Sequence, residues 1–480
     1  MKIETIIGIE THVQLNTKTK MFCSCSTDYF GHPPNSMVCP ICLGYPGVLP
    51  SVNIEAFRKA IRVGKALHCD IQEKSRFDRK NYMYPDLFKG YQITQFEYPI
   101  NLGGFIDLIS KDTNKRINIT RAHLEEDTAK SIHVDDHTLI DGNKAGTPLL
   151  EIVSEPDLST SDEAVEYTKK LRSIIRFIGA SLADMEKGEM RFDINVNLKI
   201  TKDNKEFRTP ITEVKNLNSF KSLKNAIEYE VERQKDEFVR SNIVLEKGNK
   251  TTRGWNDTLG KTYFLREKEE SDDYRYFPEP DIPPFEIDQE FIEKSIKEID
   301  VFYEDALSLL VEKHKIPIYT AELIIGDRPF YDFFMKSIKI YKGDENNIAN
   351  WIVNDIFTLI NENGISIEDI DSDKFVMLLS KVDEKSLSIN NAREIFKDVV
   401  LNKADVLKLI EENSVIDDDD LIDTIVREVI DKNKDLVEKY VAGKEGLLGF
   451  FVGQVLQKVS GRYNPEEVKE KIIHYIKTFN

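Results

Sequence analysis

The stretch Glu4–Leu15, ETIIGIETHVQL, alternates apolar and polar residues, and a period of two is typical of a β-strand with one buried face. Two later stretches, GEMRFDINVNLKI at 188–200 and KTYFLR at 261–266, alternate in the same way. Between them lie segments whose apolar residues recur with helical spacing. Short alternating runs separated by a few helices predict an α+β fold for roughly the first 290 residues.

Two amphipathic helices are predicted inside this region. One follows the capping residues STSDE, runs through AVEYTKKLRSIIRFI at 164–178 and ends at Gly179. The other opens at NSF, residues 218–220, and continues to Val239. The proline-rich stretch Phe277–Pro284, FPEPDIPP, can continue neither a helix nor a strand, so it marks the clearest boundary in the chain.

The pattern changes beyond this boundary, because helical periodicity dominates from about Gln289 to the end. We therefore predict three parts. Residues 1–292 form an α+β cradle domain with a large mixed or antiparallel sheet, residues 293–405 form an all-helical domain, and residues 406–480 form a small C-terminal helical bundle.

Composition and charge restrict the class of protein. The 480 residues are 40% hydrophobic and 31% charged, as in a soluble protein of two to four domains. The sequence shows no secretory signal and no apolar run of the ~20 residues that a membrane helix needs, which predicts a cytoplasmic protein without a membrane partner. The net charge of −18 disfavours indiscriminate binding to nucleic acid. Residues 432–480 are locally basic, with nine Lys/Arg and six Asp/Glu, although chance variation would produce the same excess.

Four of the five cysteines lie in MFCSCSTDYFGHPPNSMVCPICLGYPG, residues 21–47, as a C-x-C and a C-x-x-C pair: Cys23, Cys25, Cys39 and Cys42. Thiols stay reduced in the cytoplasm, so these four cysteines are not expected to form two disulfides. Two closely spaced thiol pairs favour four-coordinate zinc, and four protein ligands leave no open position, so the zinc would be structural. Buried cysteines without a ligand are the alternative. The fifth, Cys69, is predicted to be a core residue rather than a nucleophile.

Acidic residues in apolar surroundings form a second group of candidates. Glu10 and His12 share the polar face of the first strand. Glu151 in GTPLLEIVSEPD is flanked by apolar residues, so its carboxylate needs a cation or hydrogen-bond donors. Glu125 in ITRAHLEEDTAK shares a strand face with a histidine and an arginine. Mg²⁺ prefers carboxylate oxygens, but each acid taken singly also fits a structural ion pair.

Neither of two common phosphate-binding motifs, G-x-x-x-x-G-K-[ST] and G-x-G-x-x-G, occurs in the sequence. The G-x-S-x-G elbow of serine hydrolases is also absent. The stretch Ser75–Gln95, SRFDRKNYMYPDLFKGYQITQ, instead places four basic residues among three tyrosines. Such clustering suits phosphates and stacked bases, and an exposed basic loop would look the same.

Taken together, these stretches resemble one family, the B subunits of bacterial aspartyl/glutamyl-tRNA amidotransferases. The resemblance is carried by IGIETHVQLNTKTKMFCSCS, VCPICLGYPGVLP, FDRKNYMYPDLFKGYQITQ, RAHLEEDTAK, AGTPLLEIVSEPD, EVKNLNSF, DYRYFPEPDIPP and, more weakly, LGFFVGQVLQKVSGRYNP. It covers nearly the whole chain in order and is least specific at about 290–405.

The resemblance implies a kinase and transamidase subunit, an ATP-dependent carbon–nitrogen ligase of protein biosynthesis with glutamine as the nitrogen donor. Glutamate on tRNA(Gln), aspartate on tRNA(Asn), or both would be phosphorylated by ATP on the side-chain carboxylate, and ammonia would then displace phosphate. A carboxylate is a poor acyl electrophile and an acyl phosphate is a good one, which explains the need for ATP. Mg²⁺ would neutralise charge on the transferring phosphoryl group.

The resemblance also assigns residues. Those matching the family's Mg²⁺ site, whose three acids would be catalytic, are Glu10, His12, Glu125 and Glu151. Those matching its zinc site are Cys23, Cys25, Cys39 and Cys42. Those in the stretch that resembles the ATP and acceptor-end pocket are Arg79, Lys80, Tyr82, Tyr84 and Lys89. Those expected to contact tRNA phosphates from the C-terminal tail are Lys434, Lys444, Lys458 and Arg462.

The resemblance further implies partners. The sequence offers no glutaminase nucleophile, so ammonia would come from a separate amidase subunit, with a small third subunit completing a heterotrimer. A rival interpretation is a non-enzymatic, zinc-stapled tRNA-binding subunit whose acids form ion pairs. A third, a zinc hydrolase, needs an open coordination position that four thiolates would deny.

Overall fold

The computed structural model of the chain describes residues 1–109, 114–268, 271–414, 419–459, 462–463 and 465–478. Two compact units are present, Met1–Asp305 and Ala306–Asn480. The first unit combines a large sheet with helices and the second is helical, so the predicted α+β class with a helical C-terminal part is confirmed. The three-part division at 292 and 405 stays a prediction.

The strands of the described residues all lie in the first unit. Their bounds are β1 Lys2–Gln14, β2 Asp70–Ile71, β3 Lys74–Ser75, β4 Asp78–Asn81, β5 Tyr91–Thr94, β6 Asn101–Leu102, β7 Phe105–Ile109, β8 Asn114–Glu126, β9 Lys130–Val134, β10 His137–Asp141, β11 Pro148–Ser154, β12 Met190–Lys202, β13 Lys205–Arg208, β14 Thr212–Leu217, β15 Thr251–Asn256, β16 Lys261–Glu267, β17 Phe277–Pro278 and β18 Phe285–Glu286.

The main sheet has β1 near its centre, and β1 contains the alternating apolar and polar residues near the start of the chain. The strand order is β16, β15, β14, β12, β1, β11, β8, β5, β4, β17. Neighbours in this order are antiparallel except for β14 and β15, which run parallel, so the sheet is mixed as predicted.

The register of the central strands aligns polar residues that are far apart in sequence. His12 on β1 lies opposite Glu151 on β11 and opposite Arg191 on β12. Glu151 in turn lies opposite His123 on β8. Residues directly opposite each other point to the same face of a sheet, so a polar row crosses four strands.

The helices have the bounds α1 Ile54–Ala66, α2 Ser161–Phe177, α3 Phe220–Ser241, α4 Gln289–Ile296, α5 Tyr303–Ser308, α6 Ile318–Ile324, α7 Arg328–Ile340, α8 Glu345–Trp351, α9 Phe357–Asn363, α10 Ser372–Asp383, α11 Ile389–Leu401, α12 Val406–Asn413, α13 Asp419–Lys432, α14 Lys434–Val441, α15 Leu447–Lys458 and α16 Pro465–Thr478. Both helices predicted within the α+β region are present. In the described part of the chain, no helix is both long and apolar enough to cross a bilayer.

Helix α3 covers the apolar face of the sheet. Its N-cap is Ser219, whose hydroxyl accepts the backbone N–H of Ser222. The ring of Phe220 at its start stacks on buried Phe192 of β12, with 6.0 Å between ring centroids. Because side chains alternate along a strand, Asp193 points to the opposite face. The helix therefore occupies one face and leaves the polar row on the other.

In the second unit, the last four helices share an apolar core. Its buried residues are Ile422, Val426, Val429, Ile430, Val437, Phe451, Val455, Val459, Tyr463, Val468, Ile472 and Ile476. These side chains come from α13 to α16 and from the segment after α15. The end of the chain thus packs as a small helical bundle, as its hydrophobic periodicity predicted.

Candidate functional site

Three of the four residues predicted to hold Mg²⁺ converge on the polar face of the sheet. One ligand atom from each of His12, Glu125 and Glu151 lies within 4.8 Å of the other two. Nε2 of His12 is 3.7 Å from a carboxylate oxygen of Glu125 and 3.7 Å from one of Glu151. Nε2 of His123 is 3.3 Å from the same oxygen of Glu151. We call His12, Glu125 and Glu151 the acid cluster.

Glu10, the fourth predicted residue, lies beside the acid cluster. It is two residues before His12 on the same strand face, and its carboxylate accepts a hydrogen bond of 2.9 Å from the side-chain amide of Asn195. Glu10, His12 and Glu151 line one cavity of about 180 Å³. We call this cavity the acid cleft. The sheet register therefore brings the four predicted residues to one place.

Burial and mutual repulsion set the ionisation of the acids. Burial and the neighbouring Glu151 raise the pKa of Glu125 to about 8, and the same two causes raise the pKa of Glu10. Burial also opposes ionisation of Glu151, but the imidazoles of His123 and His12 hold its pKa well below its usual range. Glu151 is thus held ionised, while Glu125 retains its proton near neutral pH.

The acid cluster fits a divalent cation. Burial lowers the pKa of His12 to about 4, so its imidazole is neutral at physiological pH and can offer a lone pair. The 3.7 Å separations from Nε2 to the carboxylates are too long for hydrogen bonds. Two buried carboxylates that repel each other would both ionise readily around a cation.

Basic residues also line the acid cleft. They are Lys80, Lys215, Arg266 and Lys268. The ammonium of Lys80 lies 4.7 Å from the centroid of the Tyr274 ring, and it forms no ion pair with a carboxylate of the described residues. A cation over an aromatic face with no ion-pair partner is positioned to meet an anion in the cleft.

Two more carboxylates in the acid cleft were not predicted from the sequence. The ammonium of Lys215 lies 3.1 Å from Asp193 and 3.4 Å from Glu213, and the ammonium of Lys268 lies 3.1 Å from Glu213. Although burial opposes it, Asp193 and Glu213 raise the pKa of Lys215. The alternation in MRFDINVNL already placed Asp193 on a polar strand face, but only the pairing of β12 with β1 shows which face that is.

The other residues predicted for the nucleotide pocket lie in different surroundings. The guanidinium of Arg79 makes two hydrogen bonds to buried Glu279, at 2.6 and 2.9 Å. The ammonium of Lys89 binds the carboxylate of Glu126 and lines a cavity beside the cysteines. Tyr82 is partly buried and Tyr84 is 60% exposed. Their roles in nucleotide binding stay predictions.

The four predicted zinc ligands form a second cluster. The Sγ atoms of Cys23, Cys25, Cys39 and Cys42 lie within 4.8 Å of one another. Those of Cys39 and Cys42 are 3.9 Å apart. Four thiolates at about 2.3 Å from one tetrahedral ion are about 3.8 Å apart, so the spacing fits zinc. We call these residues the thiol cluster.

A tight turn aims the second thiol pair. The backbone N–H of Cys39 points at Sγ of Cys42 over 3.1 Å. Gly44 follows with a φ of +69°, and a Cβ there would lie 2.6 Å from a side-chain carbon of Lys89, which excludes other residues. The thiol of Cys23, the N–H of Cys39 and the ammonium of Lys20 lower the pKa of Cys42 to about 4. The thiol cluster could therefore hold a metal ion.

The predicted tRNA contacts lie in the C-terminal bundle. Lys434 is the first residue of α14, and Lys444 is exposed in the turn before α15. Lys458 pairs with Glu428. The guanidinium of Arg462 donates a hydrogen bond of 3.1 Å to the backbone carbonyl of Glu412. Lys458 and Arg462 therefore already have partners within the chain.

The fold is that of a protein with two candidate metal sites. The acid cleft is suited to a divalent cation, and the thiol cluster is suited to zinc. Comparison with known proteins gives its family. Residues 5–293 match the GatB/GatE catalytic domain and residues 332–476 match the GatB domain. The chain belongs to the GatB family, the B subunits of tRNA-dependent amidotransferases.

Relatives match over nearly their full length. The chain is 41% identical to the B subunit of the aspartyl/glutamyl-tRNA(Asn/Gln) amidotransferase of Persephonella marina, across 99% of this chain and 100% of the relative. Proteins of the same name from Thermotoga neapolitana and Finegoldia magna are each 40% identical, across 97% and 98% of this chain and 97% and 100% of the relatives. The family predicted from the sequence motifs is confirmed.

Proposed function

We propose that this subunit uses ATP to activate the side-chain carboxylate of glutamate or aspartate esterified to tRNA, so that ammonia can convert it into an amide. The substrate class follows the names of the relatives, which are B subunits of aspartyl/glutamyl-tRNA(Asn/Gln) amidotransferases. The observation that carries the proposal is the acid cluster, two of whose residues, His12 and Glu151, line the same cavity as Lys80. This arrangement suits an enzyme that handles a cation and a phosphoryl group together.

The proposed reaction has two steps. An oxygen of the substrate carboxylate attacks the γ-phosphorus of ATP, the bond to the β-phosphate oxygen breaks, and ADP leaves. Ammonia then attacks the carbon of the acyl phosphate, loses a proton, and expels phosphate that carries the former carboxylate oxygen. Positioning and electrostatics supply most of the catalysis in phosphoryl transfer.

We assign different roles to the residues of the acid cleft. Glu125, Glu151 and His12 would hold Mg²⁺, with Glu10 beside them, and the ion would supply positive charge to the transferring phosphoryl group. The ammonium of Lys80 would contact the same phosphoryl group, since it has no ion pair with a described carboxylate. The histidine His123 fixes the orientation of Glu151 through its Nε2.

The thiol cluster and the partners complete the proposal. Four thiolates around zinc leave no position for substrate, so the zinc would be structural. Ammonia would come from glutamine hydrolysed by an amidase subunit, with a third, small subunit completing the assembly. The C-terminal bundle would bind tRNA through Lys434, Lys444, Lys458 and Arg462.

Reconstitution tests this proposal. The full chain with its two partner subunits is given Mg²⁺, ATP, glutamine and Glu-tRNA(Gln) or Asp-tRNA(Asn), and the esterified amino acid is analysed. We expect Gln-tRNA or Asn-tRNA with one ATP consumed per amide, and the same product when an ammonium salt replaces glutamine. Binding of tRNA without ATP turnover, together with a Glu125→Gln variant that behaves as the wild type does, would instead establish a non-enzymatic role in tRNA binding.

A further inference from the structure

Lys20 is a completely buried lysine beside the thiol cluster. It is 0% exposed, and among the described residues its ammonium forms no ion pair with a carboxylate. A buried ammonium without an opposite charge nearby is strongly disfavoured. The reaction proposed above does not use this charge, so the burial of Lys20 needs an explanation of its own.

Three acceptors surround the ammonium of Lys20. Its Nζ lies 2.8 Å from the backbone carbonyl oxygen of Met37, 3.4 Å from that of Gly142 and 3.7 Å from Sγ of Cys42. An ammonium has three N–H bonds, so one is available for each acceptor. Two of these acceptors are neutral carbonyl groups, whereas the sulfur is negatively charged when it binds a metal. The Cys42 thiolate is therefore the acceptor that can compensate the charge of Lys20.

The thiol cluster needs positive charge in return. Four thiolates around one divalent zinc ion leave two negative charges in excess, and Cys42 is only 8% exposed. Its sulfur accepts the backbone N–H of Cys39 over 3.1 Å, which supplies a dipole but no charge. The ammonium of Lys89, which lines a cavity together with Cys42, is already paired with Glu126. Lys20 thus places an unpaired positive charge against the excess negative charge.

The loop that carries the thiol cluster has other ties to the rest of the sheet domain. The backbone N–H of Met37 donates a hydrogen bond of 2.8 Å to the side-chain oxygen of Asn143. The side-chain amide of Asn143 donates one of 2.8 Å to the backbone carbonyl of Pro33. These bonds join the loop to the segment after β10 without using a charge. What Lys20 adds to them is a positive charge at a metal ligand.

We propose that Lys20 is a positioning residue of the zinc site. Its ammonium donates a hydrogen bond to the Cys42 thiolate of the metal-loaded cluster and neutralises part of the negative charge, which strengthens zinc binding. This inference rests on the proposed zinc site and is independent of the proposed ATP chemistry. Groups that hydrogen-bond to metal ligands typically contribute about 10- to 100-fold to metal affinity. A lysine that only holds carbonyl groups would act equally with and without the metal.

Two substitutions and a matched control test the proposal in the full-length chain. Lys20→Met removes the charge and the hydrogen bonds, and Lys20→Gln removes the charge but keeps two N–H donors. The control is Lys59→Met, at another buried lysine. The ammonium of Lys59 lies 2.6 Å from the side-chain oxygen of Asn16 and 2.9 Å from the backbone carbonyl oxygen of Gly179, so it holds oxygen acceptors.

The first measurement is zinc affinity, by competition with a chromophoric chelator. We expect the Kd for zinc to rise about 10- to 100-fold in both Lys20 variants and to change less than about threefold in Lys59→Met. Wild-type affinity in both Lys20 variants would overturn the proposal. A wild-type chain that bound no zinc would refute the proposed zinc site itself, which is a different result from equal affinity in all proteins.

The second measurement separates a role at the metal from a role in packing. Calorimetry gives Tm for each protein with and without zinc, and the gap between the two values depends on zinc affinity. We expect this gap to narrow in both Lys20 variants and to stay the same in Lys59→Met. An unchanged gap in both Lys20 variants would assign Lys20 to packing. If neither variant folded, with or without zinc, Lys20 would be needed for the fold itself and the proposal would fail.

The third measurement uses Co²⁺ in place of zinc to report on the sulfur electrons. A positively charged hydrogen-bond donor lowers the energy of these electrons, so its removal should move the sulfur-to-cobalt charge-transfer bands to longer wavelength. We expect this shift in both Lys20 variants and not in Lys59→Met. Bands at the wild-type wavelength in every variant would show that the ammonium of Lys20 does not act on the thiolate, which contradicts the proposal.

Discussion

The two clusters of candidate metal ligands are assembled in different ways. The thiol cluster comes from one loop, residues 23–42, and tight turns within that loop aim its sulfurs. The acid cluster comes from three strands, with residues 12, 125 and 151 brought together by the register of β1, β8 and β11. A shift of one residue in any of these strands would turn its ligand to the opposite face.

Because they are assembled differently, the two clusters should respond differently to substitution. The thiol cluster depends on local sequence, so its loss should disturb one loop. The acid cluster depends on the whole sheet and lies where buried carboxylates repel each other. We therefore expect the first to respond to substitutions through metal content and stability, and the second through activity and pH.

The largest effect is expected at Glu151, the carboxylate that both histidines contact. Glu151→Gln keeps the shape but removes the charge, so it should lower kcat for amide formation by about 10²–10³, the cost of losing one group that stabilises transition-state charge. The measurement is amide formation from Glu-tRNA with an ammonium salt. Glu206→Gln, at a 64% exposed side chain on β13, is the control. If Glu151→Gln kept the kcat of the wild type, the acid cluster would have no role in the reaction.

A large effect on stability is expected at the thiol cluster. Cys42→Ser removes one of four ligands, so zinc content should fall from about one per chain to near zero and Tm should fall by about 5–10 °C. Metal analysis and calorimetry measure these changes. Cys69→Ala is the control, because it removes a buried thiol outside the thiol cluster, and this variant should have the same zinc content as the wild type. If Cys42→Ser also abolished Mn²⁺ binding at the acid cluster, the two clusters would not be independent.

Much of both clusters could be predicted from the sequence, for different physical reasons. The thiol pairs lie close together, so their spacing alone indicated four ligands around one ion. The alternation of residues 4–15 gave the first strand, and Glu151 was conspicuous because apolar neighbours surround it. What the sequence could not show was strand order. Asp193 and Glu213 entered the acid cleft because β12 pairs with β1 and β14 pairs with β12, and such long-range pairing leaves no local signal.

The pH dependence of cation binding should distinguish the clusters further. The pKa of Glu125 is raised to about 8 from an ordinary value of 4.5, so ionisation is unfavourable in the folded chain. Without a cation, the protonated Glu125 carboxyl makes its full contribution to the stability of the folded chain below pH 4.5. This contribution is lost as the pH rises through about 8. A cation needs the ionised carboxylate, so Mn²⁺ affinity should rise about tenfold per pH unit up to about pH 8 and then level off.

Glu125→Gln checks the assignment of that pH dependence. Titration of Mn²⁺ followed by electron paramagnetic resonance between about pH 6 and 9 should show weaker binding and a flat profile in this variant. Glu97→Gln, at an exposed side chain, should keep the wild-type slope. An unchanged slope in Glu125→Gln would assign the proton to another group.

A smaller effect is expected at Lys80. Lys80→Met keeps the length and loses the charge, so KM for ATP should rise about tenfold while zinc content and tRNA affinity stay the same. Lys80→Arg should recover part of the loss. Lys74→Met, on β3, is the control. An unaltered KM for ATP in Lys80→Met would show that this ammonium does not contact the nucleotide.

The smallest effects are expected in the C-terminal bundle. Charge reversal of Lys434, Lys444 or Arg462 should each weaken tRNA binding a few-fold and lower the slope of log affinity against log salt by about one. Lys458 should give less, because it is paired with Glu428. Filter binding at several salt concentrations measures this, with Lys374→Glu as control. Unchanged affinity after reversing all four charges would exclude this surface from tRNA recognition.

Transfer of a phosphoryl group to the substrate carboxylate in the acid cleft can be followed with an isotope, because one carboxylate oxygen must leave with the phosphate. Glu-tRNA labelled with ¹⁸O in the side-chain carboxylate is incubated with the complex, ATP, Mg²⁺ and an ammonium salt, and the released phosphate is analysed by mass spectrometry. We expect one ¹⁸O in the phosphate for each amide formed, and in Glu151→Gln both products should form about 10²–10³-fold more slowly. Amide formed with unlabelled phosphate would contradict this transfer.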